Sequence, residues 1–180
     1  MNINELVSNL VQPIVVSAEG NHLDTVAAAA TASLGGFGND SPVYREWLSG
    51  PFTKTVRRCK AAQFERLRDA FGVYVAVSGT ARAFAMDPVA YDDMPKAVRN
   101  LQVSGPEMPR GQSSIDLGAD YWSAVVNGSL GMSTGKTAAQ VAHAFWMAGR
   151  VLNIIEVSGH EFERLLPDAT YVVRDAGLTE

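Results

Sequence analysis

AAQFERLRDAFGVYVAVSG at residues 61–79 aligns without a gap on GHEFERLLPDATYVVRDAG at residues 159–177. FERL is identical in both, and both stretches end on a strand pattern followed by glycine, Gly79 and Gly177. Upstream, each half places a strand pattern, an alanine-rich helix pattern and a second strand pattern. The first half reads PIVVSA (13–18), LDTVAAAATASL (23–34) and FTKTVRRC (52–59). The second reads YWSAVVN (121–127), TGKTAAQVAHAFWMAG (134–149) and LNIIEVS (152–158). A short helix (HEFERLL, 160–166) and a strand (TYVVRD, 170–175) complete it. Self-similarity of this kind predicts an internal duplication, β-α-β-α-β in each half. The expected fold is α/β, with two similar mixed-sheet subdomains about a pseudo-two-fold axis. A homodimer fused into one chain has that form.

Smaller features fill in the plan. VYVAVS and ARAFAM flank SGT (78–80), which predicts a hairpin. MPKAVRNLQ (94–102) reads as a short helix whose start Pro95 marks. SGPEMPRGQSSIDLGAD (104–120) is rich in Gly, Pro and Ser, so it is the expected linker. The predicted units are therefore a degenerate pseudo-repeat at 1–103, the linker, and a second repeat at 121–180.

The chain has 180 residues, enough for one ordinary domain or two small ones packed together. Its net charge of −4 does not make the whole surface a polyanion-binding field. The single cysteine, Cys59, cannot form an intrachain disulfide or a cysteine metal cluster. No apolar run approaches the ~18 residues of a membrane span. MNINELVSNLVQPIVV at the start lacks a basic n-region and carries Glu5, unlike a signal peptide. The expectation is a cytoplasmic protein with no membrane partner, no cofactor and no metal.

The chemistry concentrates in GMSTGKTAAQVAHAF (131–145). It looks like a phosphate loop, but the spacing fails. A Walker A motif needs a glycine five residues before the Gly-Lys pair, and that position is Leu130. The helix carries more information. Ala138, Val141, Ala142, Phe145 and Gly149 fall on one side, as a core stripe. Lys136, Gln140, His143 and Met147 fall on the other. Ser133 or Thr134 can cap the start. The free N–H groups there attract anions, and Lys136 adds a full charge. The corresponding positions of the first half are Asp24, Ala28 and Thr31, so a single site would belong to the second half.

MSTGKTAAQVAHA (132–144) resembles the MGKGKxAAQxxHA signature of the type-II peptidyl-tRNA hydrolases, and YVVRDAGLTE (171–180) resembles their DAGxT motif. The motifs stand in the family's order and cover the last third of the chain. The first two thirds look like the N-terminal extension of a longer bacterial branch. The resemblance implies a metal-independent hydrolase acting on peptidyl-tRNA or aminoacyl-tRNA esters. It implies catalytic roles for Lys136 and Asp175, with Thr179 as a further hydroxyl, and substrate binding by Ser133, Thr134, Gln140 and His143. The family continues past DAGxT into a PGSxT turn and a last strand, whereas this chain stops at Glu180. An eroded tRNA-binding or protein-binding module of the same fold is the alternative expectation. The expected state is a monomeric pseudo-dimer or a homodimer.

Four cations of KTVRRCK (54–60), Lys54, Arg57, Arg58 and Lys60, are candidate contacts to the tRNA backbone, with Arg66 and Arg68 beside them. The competing reading is an edge strand guarded by charge. Trp47, Trp122 and Trp146 are expected in the core or at the subdomain interface. His22 and His160 lack metal-ligand spacing.

Overall fold

The computed structural model describes residues 9–36, 39–103, 107–110, 123–127, 130–151 and 172–175. The class is α/β, as expected, with a five-stranded mixed sheet. β1 (Leu10–Ser17) runs parallel to β2 (Thr53–Cys59), from Val11 beside Thr53 to Ser17 beside Cys59. On its other edge β1 pairs antiparallel with β4 (Ala81–Ala85), and β4 pairs antiparallel with β3 (Ala76–Ser78). The order is β2-β1-β4-β3, and the short β5 (Val89–Ala90) also pairs with β1. β2 is thus an edge strand. A second sheet pairs β6 (Ser123–Val126) in parallel with β7 (Val172–Asp175).

β1 is buried on both faces, so its side chains split between two cores. Ile14 and Val16 join the core built on α1 (His22–Leu34) and α5 (Thr134–Val151). Val11 and Val15 join Phe64 and Leu67 of α3 (Ala61–Phe71) and Val98 of α4 (Lys96–Arg99). α2 (Pro42–Ser49) adds Tyr44 and Trp47 to the first core. Ser41 and Pro42 are start signals for this helix, which the strand-helix reading of the chain passed over. The hairpin forms, but its first strand is only Ala76–Ser78, and Tyr74 is exposed. The short helix narrows to Lys96–Arg99, entered through a 3-10 turn at Tyr91–Asp93. The strand and helix expected at 152–158 and 160–166, with Trp122 and His160, lie outside the described residues.

α1 explains its own composition. It packs on β1, β3 and β4, and also on α5 and β7. Ten of its thirteen residues are buried, so it has no solvent stripe to speak of, and a run of alanines lets its neighbours approach from several sides. α5 keeps the more ordinary two-faced pattern. Ala138, Val141, Ala142 and Phe145 are buried as the spacing predicts, while Lys136, Gln140 and Met147 are exposed. Trp146 widens the buried stripe. Its Nε1–H donates to Ser33 Oγ at 3.0 Å, and Ser33 O–H donates to Gln12 Oε1 at 2.5 Å. Gln12 Nε2 returns a bond to the Ser33 carbonyl at 3.2 Å. All three side chains are buried, and the network ties α5, α1 and β1 together.

Part of the expected linker packs on the fold. Met108 is buried, and the Pro109 carbonyl accepts from the His22 N–H at 2.8 Å. Among the described residues, no helix is long and apolar enough to cross a membrane.

Candidate functional site

α5 begins a few residues beyond the C-terminal end of β6, where ligands commonly sit in α/β folds. Gly131 turns the chain at φ +57, a left-handed conformation that favours glycine. Ser133 then caps the helix. Its Oγ accepts from the Lys136 N–H at 3.4 Å, and its carbonyl accepts from the Thr137 N–H and hydroxyl at 2.9 and 3.1 Å. Thr134 is turned inward, with Oγ1 3.0 Å from Nδ1 of His22. Either group can donate in that bond, depending on the imidazole tautomer. His22 opens α1, so the contact joins the starts of two helices 112 residues apart.

A cavity of about 200 Å³ lies beside this junction. Leu23, Met108, Val126 and Met132 give it apolar walls, while His22, Glu107, Arg110, Asn127 and Thr137 bring polar groups to it. An apolar hollow with a few convergent polar groups is the usual form of a small-molecule site. The N-terminus of α5 beside it favours a negative ligand group.

The structure distributes the sequence-derived candidates unevenly. Ser133, Thr134 and Lys136 share the first turn of α5, but Thr137 rather than Lys136 lines the cavity. Lys136 and Gln140 are exposed. Asp175 ends β7, with its backbone beside Val126, a cavity-wall residue. Thr179 lies outside the described residues. His143 leaves the stripe: its ring stacks on Phe52 at 4.2 Å and 4°. Burial, then the charge of Lys54, holds its pKa below the usual histidine value.

The basic stretch of β2 is turned partly inward. Arg57 is 3% exposed and donates to the Tyr91 hydroxyl at 2.9 Å. Lys54 lies under aromatic rings. Arg58 is half-buried, its backbone N–H bonded to the Gln102 carbonyl, and Lys60 is exposed at the start of α3. Arg66 is exposed, and Arg68 pairs with Glu65 and Asp69 at 2.5 and 2.7 Å. The period of the strand is the signal that locates Lys54 and Arg57, since each shares a face with a buried apolar residue, Val56 and Cys59 respectively.

His22 is the cavity residue that local sequence reading passes over, because nothing near position 22 points to position 134. The chain matches no protein-family model, no curated protein and no solved structure.

Proposed function

We propose that the chain is a metal-independent hydrolase of peptidyl-tRNA or aminoacyl-tRNA esters, with its site at the start of α5. The observation that carries this reading is the cavity at the end of β6, flanked by the α5 cap and by the His22–Thr134 contact. The two motifs similar to those of type-II peptidyl-tRNA hydrolases fall on its borders: Lys136 on the first turn of α5, and Asp175 beside Val126.

In this mechanism the helix N-terminus and Lys136 stabilise the oxyanion that forms as water adds to the ester carbonyl, or hold a neighbouring phosphate. Asp175 orients or deprotonates the water. Ser133 and Thr134 shape the helix start, with His22 fixing Thr134. Gln140 contacts the substrate beyond the reacting bond, and Thr179 offers a further catalytic hydroxyl. On this reading the protein works in the cytoplasm. On the same reading, β1–α1 and β6–α5 are copies of one unit, fused into a monomeric pseudo-dimer.

A second reading, a protein-binding module of the same fold without turnover, is favoured by one observation. Arg57 is buried and Lys54 is covered by rings, so the basic stretch offers only part of its charge to a tRNA backbone.

Both are tested by incubating the protein at low salt with N-acetyl-aminoacyl-tRNA, alongside Lys136→Ala and Asp175→Ala. Ester cleavage lost in both variants supports the hydrolase. Cleavage that survives both substitutions sinks the site. No cleavage by the unaltered protein and no tRNA binding leaves the protein-binding module; no cleavage with tRNA binding that weakens as salt rises makes it a tRNA-binding module instead.

A further inference from the structure

The Lys54 cluster stands apart from the cavity and does not depend on the hydrolase reading. Lys54 Nζ lies 4.6 Å from the ring centre of Trp47, 4.8 Å from that of Phe52 and 5.8 Å from that of Trp146. It donates one hydrogen bond, to the Phe52 carbonyl at 3.1 Å. Among the described residues, no carboxylate forms an ion pair with it. Phe52 itself holds φ at +32, the positive-φ non-glycine residue of the described chain, and such strain concentrates at working sites. The titratable group facing the cluster from α5 is His143, stacked on Phe52; α2 contributes Trp47.

We infer that Lys54 is a nucleophilic lysine, a covalent site for small carbonyl compounds such as simple aldehydes. Trp47, Phe52 and Trp146 are themselves buried and pack around the amine where a counter-ion would otherwise sit, while Lys54, half-buried on the edge strand β2, is partly open to small solutes.

The ammonium form is disfavoured here. Burial lowers the Lys54 pKa from the usual value to about 7. Cation–π contacts oppose that loss in part, but ring faces do not replace a counter-ion. About half of the side chains would then be neutral amine at pH 7, against roughly one in two thousand for an ordinary lysine. Activation by desolvation is an established route to imine-forming lysines. The amine lone pair attacks the carbonyl carbon, and the C=O π pair moves to oxygen. A proton passes from nitrogen to that oxygen through solvent. The hydroxyl then leaves with a second proton as water, and the C=N bond forms, so amine plus aldehyde gives imine plus water.

The experiment is a competition within one molecule. The intact protein is treated with limiting formaldehyde and sodium cyanoborohydride, which traps the imine as a secondary amine, and the lysines are compared by peptide mass mapping. The exposed Lys60 and Lys96 are internal references. At pH 7, Lys54 is expected to label about ten-fold faster or more than either, and the ratio should shrink as pH approaches 10. Equal or slower labelling of Lys54 at pH 7 overturns the proposal. So does a ratio that stays level with pH. Because wild-type protein carries the whole measurement, a variant that fails to fold does not compromise it.

Discussion

β1 leads into α1 and β6 leads into α5, but the two helix starts are finished in opposite ways. At α1 the first turn is closed. Asn21 Oδ1 accepts from the Asp24 N–H at 2.8 Å, and the Asp24 carboxylate accepts from Asn21 Nδ2 at 2.6 Å and from Ser78 Oγ at 3.3 Å. Gly79 packs so tightly there that a Cβ would collide with the carboxylate. At α5 the first turn is open. Lys136 is exposed, Gly131 has nothing within 4 Å of its would-be Cβ, and a cavity adjoins Thr137. The acidic start has been used up as structure, whereas the basic start retains room for a ligand.

The strands differ in parallel. β1 and β3 both run antiparallel to the β4 that separates them, so they are parallel to each other. β6 and β7 are also parallel, but directly paired. Closing the β4 gap would convert the first arrangement into the second. It also sets Asp175 immediately beside Val126 at the cavity wall.

The largest expected effect comes from detaching the open half from the closed one. Trp146→Ala removes a fully buried ring from the α1–α5 junction and should destabilise the fold by about 3–5 kcal/mol in urea unfolding. A loss under ~1 kcal/mol would mean that the halves do not share a core. Next comes a pH effect. The folded Lys54 pKa, about 7, is below its unfolded value, so between pH 7 and the ordinary lysine pKa the unfolded state binds more protons. Stability should therefore rise with pH across that window, and be lost as pH falls through it. The unfolding midpoint of Lys54→Met should lack this rise; a rise retained in full would show that another group causes it.

Paired glycine substitutions probe the closed and open starts directly. Gly79→Ala combines positive φ with the Asp24 collision and should lower stability by about 2–3 kcal/mol, whereas Gly131→Ala meets only the backbone strain, about 1 kcal/mol. Equal losses would erase the distinction. A double-mutant cycle on His22→Ala and Thr134→Val should return a coupling of about 0.5–1.5 kcal/mol. Smallest in stability is Lys136→Ala, within about 0.5 kcal/mol of wild type because the side chain is exposed. If α5 carries the proposed site, the same substitution should lower ester turnover by roughly 10²-fold or more.

What could be read from the chain follows the range of the forces involved. The core stripe of α5 was legible because Ala138, Val141, Ala142 and Phe145 repeat at the helical period, and the hydrophobic effect acts on that pattern locally. The β1–α1–β2–α3 order was legible for the same reason. The His22–Thr134 contact was not, since it depends on how two distant helix starts are packed. The inward turn of Lys54 and Arg57 lay between these extremes. Strand parity contains it, but the density of charge in KTVRRCK suggests an outward surface. For the open start of α5, the sequence supplied the residue types, and tertiary packing decided that Thr137, not Lys136, faces the hollow.

The Gln12–Ser33–Trp146 network also acts as an alignment key. Sliding α5 along α1 by one turn, about 5.4 Å, would keep much of the alanine-lined contact but strand the indole N–H and break its tie to the serine. Smooth, small-residue surfaces fit in several registers, and a dry polar contact fits in one. The helix that carries Thr134 and Lys136 is thereby indexed to β1 through α1, so the position of the cavity's rim is set from the centre of the larger sheet.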